Sequence, residues 1–116
     1  MNIFVDIDGT ICKTPVTEGK SDYNNSRPLK GNISKINEYY DQGHTITYWT
    51  ARGATTGIDW AHKTAEQLGS WGAKYHNLIL GKPSYDVYID DKSINVATWV
   101  NNGRRILDLR EGPCTR

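Results

Sequence analysis

Two aspartates two residues apart, Asp6 and Asp8, follow the apolar run Ile3-Phe4-Val5 and lead into Gly9-Thr10. An ionised carboxylate in an apolar setting is costly unless it is paired or metal-bound. Thr50 and Arg52 follow Thr45-Ile46-Thr47-Tyr48-Trp49, Lys82 follows Leu78-Ile79-Leu80-Gly81, and Asp90-Asp91 follow Tyr85-Asp86-Val87-Tyr88-Ile89. Together these are four carboxylates, a lysine, an arginine and a hydroxyl. So many carboxylates do not all stay ionised at close quarters without a cation. Hard oxygen ligands, one or two carboxylates plus substrate phosphate, describe a magnesium site, and a lysine and a threonine beside it suit phosphate oxygens. Of two paired aspartates, one can serve as nucleophile, forming an aspartyl-phosphate, and the other as general acid and then base. Residues i and i+2 of a strand point to the same face, so Asp6 and Asp8 can address one substrate. The bland alternative is a strand ending in an Asp8-Gly9 turn.

The elements that must position these residues decide between the two. Ile3 to Val5 reads as a buried strand, by its apolar, β-branched and aromatic content. Residues 11–28 hold Thr14-Pro15, Glu18-Gly19-Lys20 and Arg27-Pro28 and read as a long irregular loop, placed to fold over the strand end. Residues 29–42 read as a helix, with Ile33, Ile36 and Tyr40 at helical spacing and Gly43 as its stop. Residues 44–49 are a second strand and residues 58–71 a second helix, with Ala61, Ala65 and Leu68 as its stripe and Trp60, Thr64 and Trp71 beside it. Residues 76–81 and 85–89 are the third and fourth strands, residues 93–102 a third helix, and residues 104–109 a fifth strand. Strands alternating with helices mean crossover connections and a mostly parallel sheet. In such a sheet ligands bind at the carboxyl ends of strands, and here four strand ends carry polar, charged residues. One could be a turn; four on one edge make a convergent site.

Composition bounds the rest. At 116 residues, 37% hydrophobic and 23% charged, the chain reads as one globular domain, residues 1–109, with a tail at 110–116. A net charge of +1 argues against a strong electrostatic nucleic-acid or membrane footprint. The two cysteines, Cys12 and Cys114, have no metal-ligand spacing and read as free thiols in a reducing compartment. No basic-then-apolar leader precedes the first strand and no apolar run has transmembrane length, so a cytoplasmic protein is expected.

With those residues in place the sequence resembles the haloacid dehalogenase-like phosphohydrolases. Asp6-Ile7-Asp8-Gly9-Thr10 matches their first motif, Thr50 the second, Lys82 the third and Asp90-Asp91 the acidic fourth, and the likeness runs from Ile3 to Leu109. The resemblance implies a three-layer, Rossmann-like, mostly parallel five-stranded sheet flanked by helices. It implies Asp6 as nucleophile and Mg²⁺ ligand, and Asp8 as general acid/base that also gives its backbone carbonyl to the metal. Thr50 would bind phosphate, with Gly9, Ala51 and Arg52 grouped beside it. Lys82 would steady nucleophile and phosphoryl group. Asp90 or Asp91 would complete the metal site, Asp90 being the preferred ligand. Arg52 is not part of the general family pattern; it either touches substrate or pairs with a carboxylate. Tyr23, Ser26 and Arg27 in the long loop are weaker candidates for substrate contact.

Family members often insert a cap domain. Here 39 residues separate Thr10 from Thr50 and 31 separate Thr50 from Lys82. Predicted helices and strands consume both intervals, which leaves no room for a cap. The site is then open, to be covered by a larger substrate or by a second subunit in a homo-oligomer. The short form looks most like small phosphatases associated with capsular or surface polysaccharide synthesis. That likeness implies a sugar phosphate or related phosphorylated metabolite as substrate. A polynucleotide 3′-phosphatase is the first alternative, since the phosphatase domain of polynucleotide kinases is also a compact unit of this class. A non-catalytic binding module that kept the fold is the second.

Overall fold

The computed structural model describes residues 1–106. In chain order its elements are β1 (Asn2–Val5), β2 (Cys12–Lys13), β3 (Val16–Thr17), β4 (Lys20–Ser21), a 3-10 turn (Tyr23–Asn25) and β5 (Arg27–Pro28). They continue with α1 (Lys30–Asp41), β6 (Thr45–Trp49), α2 (Ala61–Ser70), β7 (Asn77–Ile79) and α3 (Val96–Asn101). The chain divides into two units, Met1–Ser84 and Tyr85–Arg116.

The first unit is a small α/β fold. Its sheet has three parallel strands in the order β1-β6-β7, with Val5 beside Tyr48 and Tyr48 beside Leu78. The connections from β1 to β6 and from β6 to β7 run through α1 and α2, as parallel pairing requires. One face of the sheet is the core. Val5, Ile46 and Tyr48 are buried there with Ile33, Ile36 and Tyr39 of α1 and Leu68 of α2, and Ile7 and Ile11 close the strand-end side. The opposite face carries Asn2, Phe4 and Asn77, all exposed, with the Phe4 ring edge-on to Trp49 at 6.0 Å.

Residues 11–28 are not irregular. β2 pairs antiparallel with β5, and β3 with β4. The β3–β4 hairpin turns through Glu18 and Gly19, both at positive φ (53° and 75°), as a two-residue turn with matching twist demands. The Tyr23–Asn25 turn then leads back to β5. These residues form a small flap of two ladders.

α1 fits its predicted span. α2 starts three residues later than predicted, because the Asp59 carboxylate accepts the Ala61 amide (2.9 Å) and holds the chain outside the helix there. Its buried residues are Thr64, Gln67 and Leu68, whereas Ala61 is exposed.

The expected five-stranded, Rossmann-like sheet is corrected to three parallel strands with two small antiparallel ladders. In the second unit residues 85–89 form no strand, and Val87 and Ile89 are 75% and 95% exposed. Alternating apolar residues state what a strand would bury; they do not supply a ladder partner. The fifth predicted strand fails at its start. Gly103 and Arg104 both have positive φ, and the Arg104 amide donates to the Trp99 carbonyl (2.7 Å), so these residues close α3 instead of extending. Residues 107–109 of that strand and the tail at 110–116 lie outside the described residues. α3 itself is shorter than predicted. Asn95 caps it by accepting the Ala97 amide, and Trp99 is its buried residue. Among the described residues no helix is long and apolar enough to cross a membrane.

Candidate active site

The parallel ladder runs on beyond the ends of its strands. The Thr50 amide donates to the Ile79 carbonyl (3.0 Å), and the Lys82 amide donates to the Thr50 carbonyl (3.1 Å). Sheet pairing alone therefore sets Thr50 beside Lys82. From there the Lys82 ammonium reaches the Asp6 carboxylate, Nζ to Oδ1 3.7 Å, and lies 5.4 Å from the centre of the Trp49 ring. Burial pushes the Asp6 carboxyl above its ordinary range, against the opposing pull of Lys82.

Asp8 has a different neighbourhood. Its Oδ1 accepts from the Thr14 hydroxyl (2.5 Å) and from Arg52 Nη2 (2.9 Å), and its Oδ2 accepts from Arg52 Nε (3.0 Å). Arg52 is thus a fork closed on one carboxylate. Its remaining N–H groups go to Thr64 Oγ1 (3.1 Å) and Gln67 Oε1 (2.5 Å), both on α2, and to Ser26 Oγ (3.3 Å) on the flap. The Tyr23 ring lies 4.7 Å from the guanidinium carbon, and Trp60 stands edge-on to Tyr23. The Arg52 side chain is fully buried. A buried cation has to be paired and hydrogen-bonded, which is why Thr64 and Gln67 of α2 turn inward.

Of the residues expected from sequence, the structure gathers Asp6, Asp8, Thr50, Arg52 and Lys82 at one edge of the first unit. Thr50 is buried and its hydroxyl accepts the Arg52 amide (3.1 Å), keeping its own proton as a donor. The Gly9 amide donates to the Cys12 carbonyl (2.9 Å) in the turn after Asp8, and the Ala51 carbonyl accepts from Ala54 (2.9 Å). Asp90 and Asp91 belong to the second unit and are exposed; the Lys92 amide donates to the Asp90 carboxylate (3.1 Å). Among the described residues no group of three or more His, Cys, Asp or Glu side chains forms a metal-ligating cluster. Asp6 nonetheless suits a hard cation. It is a carboxylate whose charge is held down by burial more than it is relieved by its lysine.

Sequence reasoning missed Thr14, Thr64 and Gln67 as members of this site. Thr64 and Gln67, at i and i+3, share one face of α2, but that spacing by itself reads as a solvated face and carries no signal of a buried cation.

The chain matches no protein-family model and no curated protein. It is similar to a crystal structure of a structural-genomics target from Vibrio cholerae, at 25% identity and a TM-score of 0.71, over 96% of this chain and 100% of that one. The name of that protein states no activity, so the likeness bears on the fold.

Proposed function

We propose that this chain is a Mg²⁺-dependent phosphomonoester hydrolase of the haloacid dehalogenase-like class, acting on a sugar phosphate or a related small phosphorylated metabolite. The observation that carries the reading is the pairing of Asp6 with Lys82 beside Thr50 at the end of a parallel sheet, with Asp8 two residues on and held by other partners. The two carboxylates meet unlike environments, Asp6 beside Lys82 and Asp8 in the Arg52 fork; the division into nucleophile and acid/base is the one that the family resemblance implies.

Asp6 attacks phosphorus and forms an aspartyl-phosphate as the ester oxygen leaves. Asp8 gives that oxygen a proton, then takes one from the water that hydrolyses the acyl-phosphate. Lys82 and the Thr50 hydroxyl bind the phosphoryl oxygens, so their contribution is electrostatic and positional. Mg²⁺, held by Asp6 and the Asp8 carbonyl, would neutralise phosphoryl charge. The Asp8 carboxylate, taken up by Arg52 and Thr14, is left for proton transfer and not for metal.

The test is phosphate release from p-nitrophenyl phosphate and a panel of phosphate esters, with and without Mg²⁺. Turnover is expected with Mg²⁺, highest on sugar phosphates, and Asp6→Asn abolishes it. Wild-type activity no greater than that of Asp6→Asn across the panel overturns the enzyme reading. Preference for 3′-phosphorylated oligonucleotides, with salt-sensitive affinity, replaces the substrate class with nucleic acid.

A further inference from the structure

Arg52 spends every donor it has inside the protein. A guanidinium carries five N–H groups. Two go to the two oxygens of Asp8, two to Thr64 and Gln67, and one to Ser26. None is left to grip a substrate. The carboxylate can be audited in the same way. An ionised carboxylate offers about four lone-pair sites. Arg52 takes one on each oxygen and Thr14 takes the second on Oδ1, which also has the Cys12 thiol at 3.6 Å. One site remains, on Oδ2.

We infer that Arg52 is the positioning residue of Asp8 and that Oδ2 is the oxygen through which Asp8 moves its proton. The inference rests on the phosphatase reading and deepens it. The fork fixes the plane of the carboxylate, and Thr14 closes the oxygen that is not to be used. The same guanidinium ties three chain segments to that plane: the flap through Ser26 and the Tyr23 ring, α2 through Thr64 and Gln67, and the end of β1 through Asp8. Gln67 completes the tie by donating to the Tyr23 carbonyl (2.6 Å). Flap, helix and acid/base are therefore positioned together.

The experiment is a double-mutant cycle on kcat and KM for p-nitrophenyl phosphate with Mg²⁺. Arg52→Lys keeps the charge and loses the fork, so kcat falls by roughly 100-fold, the penalty typical of a misplaced catalytic group, while KM stays within about twofold. Placed on Asp8→Asn, Arg52→Lys adds less than about twofold, since its effect passes through Asp8. Guanidinium ion restores part of kcat to Arg52→Ala, and sodium at equal ionic strength does not. Losses that multiply, or a raised KM with kcat intact, overturn the inference and leave the phosphatase reading standing.

Hydrogen exchange keeps the tie testable apart from turnover, and Ser26→Ala serves if the Arg52 variants do not fold. Faster exchange in the flap and α2 together supports it. Loosening of the flap with α2 unchanged overturns it. A wild-type protein without turnover overturns the phosphatase reading and the proton-handling role of Oδ2 with it, and exchange then decides the tie alone.

Discussion

Asp6 bears its charge at a cost, and the cost has a sign that can be measured. Burial raises its carboxyl above the ordinary value near 3.8, with Lys82 only partly offsetting this. A carboxyl raised in the folded state favours the protonated form. Its contribution to stability is complete below the unfolded value and is lost as pH rises through the folded one. At neutral pH without metal, the ionised Asp6 therefore destabilises the fold. Asp6→Asn is expected to melt higher than wild type at pH 7 in chelator, with the difference shrinking as pH falls toward about 4. Mg²⁺ should raise the wild-type midpoint and leave Asp6→Asn unmoved, because only the wild type gains a ligand of its folded state. Thermal melts at several pH values check both, and a variant that melts at or below wild type at pH 7 in chelator refutes the assignment. Asp6 and Asp8 were legible in the sequence because Thr50 and Lys82 also follow apolar runs, and parallel strands bring such ends to one edge. Lys82 beside Asp6 was among the expectations and Arg52 on Asp8 was one of two readings, whereas Thr14, Thr64 and Gln67 around that pair were not legible, because no strand or helix pattern marks them as its partners.

At the scale of elements, the turn between β6 and α2 is what aims Arg52. Gly53 has φ +79°, and a Cβ there would lie 2.1 Å from the Ile58 carbonyl oxygen. The Gly57 amide closes the turn on the Gly53 carbonyl (2.8 Å). Gly53→Ala is expected to destabilise the protein by about 2 kcal/mol or more, from left-handed strain plus a backbone clash. Gly69, in α2 with open space around its Cα, provides the contrast: Gly69→Ala should stabilise by about 0.5–1 kcal/mol. Denaturant midpoints for the pair check the argument, and equal effects would refute it. The register of α2 also shows why elements were only partly readable. A Thr and a Gln at i and i+3 are ordinarily a solvated face, and they turn inward here because the buried guanidinium lies on the core side. That cation comes from a different part of the chain, so the helix's own periodicity does not contain it.

At the scale of the molecule, the parallel core of β1, β6 and β7 with α1 and α2 was legible, since each strand is apolar and each connection long enough for a crossover. The fourth and fifth strands were not, because strand propensity does not name a ladder partner and a Gly103-Arg104 turn is invisible to it. The described flap brings one more residue to the site edge. Cys12 is buried between β5 and Asp8, with its thiol near the Ile7 carbonyl and the Thr14 hydroxyl, and burial pushes that thiol above its ordinary range. A protonated, covered thiol is a poor nucleophile. Cys12 is consequently a built-in clock for flap opening: it can be alkylated only in molecules whose β2–β5 ladder has momentarily parted. In a Cys114→Ser background its reaction with a thiol reagent should run at least about tenfold slower than in denaturant. The rate should rise in Arg52→Lys, where the fork that holds the flap's neighbours is gone. Equal rates in the native and the unfolded protein would mean that the ladder is open most of the time.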